Sequence, residues 1–253
     1  MSEKPDNHEH EEQLAEGTLM SHLLELRSRL MKATAAVAVI FLGLTPFTQR
    51  VFEVVSAPLI AVLPEGSQMI ATDVASPFTT PFKTTFFVAL FIAMPVVLFQ
   101  VWQFVAPGLY KKEKKFAIPL IVSSILLFYT GMAFAYFVVF RLMFSFFAKV
   151  VPGGVTMAPD ITSYLSFVLG IFLAFGLAFE VPIATVMLIW SGLVSLKTLQ
   201  SGRRYVFLGA FVIAAVLTPP DVFSQTLLAL PMYLLYEGGM IMAKMMLPEK
   251  TKQ

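Results

Sequence analysis

Cysteine is absent from all 253 residues, which excludes disulfides, thiolate zinc sites, iron–sulfur clusters and a cysteine nucleophile. Histidine is scarce, with three in the chain. His8 and His10 sit close together near the N-terminus, but two ligands are too few for a structural metal site, and His22 is the third. Charge is scarce as well: charged residues make up 13%, against about 25% in an ordinary soluble domain. The net charge of +2 offers no basic surplus for a nucleic-acid partner. No glycine-rich phosphate loop is present, which argues against an ATPase, and no Ser, His and Asp are placed for acyl transfer. No internal repeat is visible, which weakens a secondary transporter of the inverted-repeat kind. The absences predict a protein that binds rather than catalyses, with no cofactor and no metal ion.

What fills the chain instead is apolar sequence, 57% of it. One soluble core of this size cannot hide so much apolar surface, whereas a bilayer can. Charges cut the chain into neutral runs at 33–49, 84–110 and 116–140. A stretch from 161 to 196 follows, broken only by Glu180, and then runs at 205–220 and 222–236. A membrane span needs about 17–25 apolar residues. The long run around Glu180 has no polar turn inside it and is predicted to form one tilted helix bent near Pro182. The fold class is therefore all-α, a polytopic membrane protein with six spans at about 31–49, 84–106, 116–141, 164–190, 205–218 and 222–240. Residues 18–246 form the membrane domain. Residues 1–17, acidic and without the pattern of a cleaved signal peptide, are predicted to be a disordered tail, and 247–253 a short second tail. The first connecting segment, about 49–80, holds an apolar stretch, Phe52–Leu63, suited to lie on the membrane surface or to pack over the helices.

The last two spans are expected to be short. Tyr205 to Leu217 covers only about 20 Å at 1.5 Å per residue, less than the roughly 30 Å of hydrocarbon, before Thr218-Pro219-Pro220-Asp221 forces a turn. Such a pair is either re-entrant among longer helices or sits in locally thinned lipid. With six spans, fourteen lysines and arginines fall on the side of both termini and four (Arg50, Lys83, Arg141 and Lys149) on the other, which places both termini in the cytoplasm. Arg141 closes the third span, where its long stem can snorkel outward.

Four segments carry candidate functional residues. In Ser21–Leu30, leucines 23, 26 and 30 share a helical face, giving an amphipathic helix at the cytoplasmic surface. There Glu25 either pairs with Arg29 one turn on or receives a partner's cation. In Phe104–Lys115, Glu113 lies among four lysines, either as part of an ordinary basic loop near anionic lipid or as an acceptor for a cationic guest. Glu180 lies deep in an apolar helix, where an acid costs about 2.5–3.5 kcal/mol to insert; either it faces a polar cavity or a partner group, or it bonds as a neutral carboxyl to a neighbouring helix. In the last hairpin, Asp221 is a candidate helix cap, and Gln225 sits one turn inside the final helix with Ser224 and Thr226, able to bond to another helix. Glu237 reads as an ordinary residue near a helix end.

Together these segments resemble the TatC family, the multi-span receptor subunit of the twin-arginine protein translocase. The likeness rests on His22-Leu23-Leu24-Glu25-Leu26-Arg27-Ser28-Arg29-Leu30, Ala71-Thr72-Asp73-Val74-Ala75-Ser76-Pro77-Phe78, Phe104-Val105-Ala106-Pro107-Gly108-Leu109-Tyr110-Lys111-Lys112-Glu113 and Thr218-Pro219-Pro220-Asp221-Val222-Phe223-Ser224-Gln225. It implies a protein of the bacterial cytoplasmic membrane. Such a protein binds the twin-arginine signal peptides of folded precursors and organises TatA- and TatB-type single-span subunits, and further TatC copies, for export driven by the proton-motive force. By resemblance, Glu25 and Glu113 receive the arginine pair, and Arg27 and Phe104 belong to the same surface. Pro58, Glu180, Asp221 and Gln225 fall at further functional positions, Gln225 where single-span partners dock. The competing expectation, from another class, is a small proton-coupled solute transporter built around Glu180.

Overall fold

The computed structural model describes residues 7–60, 69–105, 114–150 and 158–246, with side chains described throughout these ranges except at 7–19, 58–60, 114–117, 148 and 246. Among the described residues every regular element is helical, and the only β contact is an isolated bridge between Ile70 and Asp160. Helix α1 runs Asn7–Leu44 and passes through a short 3₁₀ turn, Thr45–Phe47, into α2, Thr48–Ile60. Helix α3 runs Ser76–Val105 and α4 Lys114–Phe134. A π-helical turn, Ala135–Val139, joins α4 to α5, Phe140–Val150. Then follow α6, Ile161–Trp190, α7, Leu196–Leu217, and α8, Val222–Met246.

Among the described residues five stretches are long and apolar enough to cross a membrane: Met20–Ala57, Ser76–Val105, Ile118–Phe147, Ile161–Trp190 and Val222–Met245. The single helix expected around Glu180 is α6, with Pro182 inside it. The expectation of a short final pair is corrected in length, since α7 has 22 residues and α8 has 25. The reason is capping. Ser195 accepts a hydrogen bond from the Thr198 amide at 3.1 Å and starts α7 well before Tyr205, so Lys197, Arg203 and Arg204 lie inside the helix. Charge marks where apolar surface ends, whereas the cap marks where the helix begins. Helix α1 also differs from expectation. It starts at Asn7, within the predicted disordered tail, because that stretch is rich in Glu, Gln, Leu and Ala, which are good helix formers. It is continuous through Ser21–Leu30, so the amphipathic segment is the opening of the first membrane helix and not a separate surface helix.

The centre of the bundle is α6, which packs between α4 and α8, while α1 lies along α3. Two glycines set these close approaches. A Cβ on Gly131 of α4 would stand 2.4 Å from the carbonyl oxygen of Phe175, and one on Gly239 of α8 would stand 2.8 Å from Cα of Pro182. Phe128, Leu165, Leu169 and Met187 fill the core between α3, α4 and α6. Val139, Met143, Phe175 and Leu228 fill a second core between the π turn, α5, α6 and α8.

The two ends of the bundle are distinguished by contacts between helix termini. At one end the starts of α3 and α6 meet: the Thr80 and Thr162 hydroxyls lie 2.8 Å apart, and Lys83 donates to Ser166 at 2.8 Å. At the other, Arg29 of α1 meets Gln103 near the last residue of α3.

Candidate functional site

Glu25 and Arg29 lie one turn apart, so both face the same neighbour. Arg29 donates to Glu25 Oε1 from Nε at 2.9 Å and from Nη2 at 2.5 Å, and its Nη1 donates to Gln103 Oε1 on α3. A guanidinium presents its donors in a flat fork and can therefore bridge two acceptors on different helices. The Glu25 side chain is 38% exposed and Arg29 19%, so the carboxylate stays in reach of water while its partner is largely enclosed. Beside them His22 stacks on Phe104, ring centroids 4.4 Å apart and planes 23° from parallel. Phe104 is thus brought to Glu25's end of the bundle through an α1–α3 contact. Arg27 is exposed and stands two residues, about 200°, around the helix from Glu25, away from Gln103. Glu113 lies outside the described residues. Pro58 lies in α2, but its side chain is outside the described set.

Glu180 is buried, at 7% exposure, and its partner is a neutral relay. Ser124 of α4 donates to Glu180 Oε2 and accepts from the indole Nε1 of Trp102 on α3 at 2.8 Å. A hydroxyl can do both, having one donor and two lone pairs. The contact joins three helices, the arrangement of a carboxyl bonded to its neighbouring helices. Glu180 Oε1 has no hydrogen-bond partner among the described residues.

In the last hairpin the Asp221 carboxylate accepts the Ser224 amide at 2.7 Å, and its carbonyl accepts the Gln225 amide at 3.2 Å. That is the capping geometry considered from the sequence. Its second oxygen, Oδ2, and the Ser224 hydroxyl are buried without partners among the described residues. The Gln225 side chain is half-buried. Glu237 differs from expectation: it accepts from Arg203 Nη2 at 2.9 Å and from the Tyr233 hydroxyl at 2.7 Å. The Arg203–Glu237 pair and the Tyr236 hydroxyl, which donates to the Leu199 carbonyl at 2.6 Å, tie α7 to α8.

Sequence reasoning missed a polar clasp at the end opposite Glu25. Ile70 and Asp160 are bridged by backbone bonds, Ile70 N–H to the Pro159 carbonyl at 3.1 Å and Ile161 N–H to the Ile70 carbonyl at 2.9 Å. The Asp160 carboxylate accepts from the Ser163 amide at 2.8 Å, the Thr72 hydroxyl at 2.8 Å and the Thr72 amide at 3.2 Å. The Ser163 amide, followed by the Thr72 hydroxyl and amide, holds this carboxyl well below the usual carboxylate range. A carboxyl lowered on folding contributes stability above its unfolded value, about 3.9, and that contribution is lost as pH falls through the lower folded value. The unfolding midpoints of wild type and Asp160→Asn are therefore expected to differ most from neutral pH down to about 4 and to converge below it. Scanning both proteins in detergent across pH checks this, and a gap unchanged down to the most acid conditions overturns it.

The missed residues left faint marks in the sequence. Ser124, Trp102 and Gln103 are polar groups inside neutral runs, where each needs a partner, but nothing local says which one.

The chain matches the protein family described as Sec-independent protein translocase protein (TatC) over residues 21–231. It is 58% identical over 226 residues to the Sec-independent protein translocase protein TatC of Escherichia coli strain K12, covering 89% of this chain and 88% of that one. Against the protein of the same name from Azotobacter chroococcum mcd 1 it is 59% identical over 221 residues, 87% of each. A solved crystal structure of the twin arginine translocase receptor TatC superimposes with a TM-score of 0.80 at 38% identity, covering 88% of this chain and 98% of that one.

Proposed function

Because the chain belongs to the TatC family, we propose that it is the receptor and core subunit of a twin-arginine translocase, binding the signal peptides of folded precursors at the Glu25 end of the bundle. The observation that carries this is the α1–α3 junction. Glu25, half-exposed and aimed by Arg29 and Gln103, shares that junction with Phe104. The chain leaving α3 leads to Glu113, which directly precedes Lys114 at the start of α4. Two carboxylates on one side offer planar acceptors to a pair of guanidinium groups. Arg27, exposed on the same helix, contributes to the outer part of that surface.

In this reading α7 is the sixth span and both termini are cytoplasmic, in keeping with the lysine and arginine distribution. The membrane is the cytoplasmic membrane of a bacterium. TatA- and TatB-type single-span subunits dock near Gln225 on the last hairpin, and further copies of the chain join the complex, which exports its cargo at the expense of the proton-motive force. Pro58, Glu180 and Asp221 support the packing of the platform that these partners use. The apolar part of α7 after Arg204 is too brief for a full bilayer, so lipid thins beside it. The family assignment favours this reading over a proton-coupled transporter built on Glu180.

The test is a photo-crosslinker introduced beside Glu113, with a labelled precursor carrying either its arginine pair or a lysine pair. Labelling is expected with the arginines and is lost with the lysines, since an ammonium cannot reproduce the fork. Equal labelling of both precursors overturns the assignment.

A further inference from the structure

At the end of the bundle opposite Glu25, the apolar stretch Ile118–Phe147 carries Arg141. Lys83, also inside an apolar stretch, donates to Ser166. Arg141 has no hydrogen-bond or ion-pair partner among the described residues. One turn on, Ser145 is likewise without a partner. The two side chains share a face of α5 and both line an open cavity of about 280 Å³ whose remaining walls are Tyr136, Phe137, Phe140, Phe144 and Tyr164. The cavity lies at the π-helical turn Ala135–Val139, where an extra residue in the turn re-aims the side chains that follow, a feature frequent at functional sites.

Depth identifies the occupant. Arg141 is about 23 residues beyond Ile118, roughly 35 Å at 1.5 Å per residue, against about 30 Å of hydrocarbon. Its guanidinium therefore reaches the phosphate layer at the far surface, with the aromatic walls facing the first part of the acyl chains. A guanidinium and a hydroxyl make a donor pair for a phosphodiester, and rings such as Tyr136 and Tyr164 are at home in that interface. Among the described residues no acidic side chain lines the cavity to receive a choline or ethanolamine ammonium. We propose that Arg141 and Ser145, with the aromatic wall formed by the π turn, α5 and Tyr164, form a binding site for one anionic phospholipid.

The full chain, purified in detergent, is titrated with phosphatidylglycerol or phosphatidylcholine and bound lipid is counted by native mass spectrometry. Wild type is expected to prefer phosphatidylglycerol by about tenfold, the scale of one charge-assisted pair. Arg141→Gln is expected to abolish the preference, Ser145→Ala to reduce it about threefold, and Arg141→Lys to retain part of it. Thermal unfolding of each variant in lipid-free detergent is expected to match wild type, since neither side chain has a partner among the described residues. Undiminished preference in Arg141→Gln overturns the proposal. Displacement of the lipid by inorganic phosphate alone at millimolar concentration assigns the pair to a free anion and overturns it equally.

Discussion

Glu25→Ala is expected to weaken binding of a twin-arginine signal peptide about 30-fold, close to 2 kcal/mol. A hydrogen bond to a charged group contributes about 1.5–3 kcal/mol, and truncating one partner of a buried interfacial charge pair costs about 2–5 kcal/mol. Glu25 is more than a third exposed, so the lower part of those ranges applies. Glu25→Gln keeps an acceptor for Arg29 but loses the charge, and binding falls nearly as far. Arg27→Gln is a useful contrast: Arg27 stands about 200° around α1 from Glu25, and its loss is expected to change affinity severalfold less. The amount of protein in the membrane should be unaffected, because an exposed i,i+4 pair contributes only about 0–1 kcal/mol to stability. Peptide titration of the purified complex measures all three variants. An unchanged dissociation constant for Glu25→Ala removes the recognition scheme built on the α1–α3 junction.

Ser124→Ala is expected to destabilise the folded protein by about 2–6 kcal/mol. The hydroxyl sits between two buried groups, taking the Trp102 indole hydrogen and giving its own to Glu180. Alanine strands both at once, and each buried group left without a partner costs about 1–3 kcal/mol. Glu180→Gln is expected to cost less than Ser124→Ala, because an amide oxygen still accepts from Ser124. Glu180→Leu leaves Trp102 satisfied by Ser124 but removes the acceptor of the Ser124 hydroxyl, and should fall between the two. Reversible unfolding in detergent ranks the three. If Ser124→Ala proves as stable as wild type, the three-helix relay carries no weight in the fold, and Glu180 needs another explanation.

The α1–α3 junction shows how far a local pattern reaches. The spacing of Glu25 and Arg29 was legible as a helical pair because one turn of helix brings any i,i+4 residues together. That Arg29 also holds Gln103, 74 residues away, was not, since nothing in either segment names the other. The final hairpin illustrates the converse error. Counting neutral residues from Tyr205 undersized α7, because a helix tolerates charge along its first turns when a cap such as Ser195 starts it.

The amino-acid order by itself determined that this is a helical membrane protein with several apolar stretches and an isolated buried acid. In hydrocarbon each backbone group must find its partner within its own helix, so apolar length dictates that the spans are helices, while caps such as Ser195 set where they begin. The four motifs determined the family for a similar reason, since each is contiguous. Only the tertiary structure decided which polar side chains meet, Glu25 and Arg29 with Gln103, Glu180 with Ser124 and Trp102, and Asp160 with Thr72, and that Arg141 lines a cavity. Those pairings depend on helix rotation and depth, which are set by close packing at places such as Gly131 and Gly239, and such packing leaves no periodic mark on a single segment.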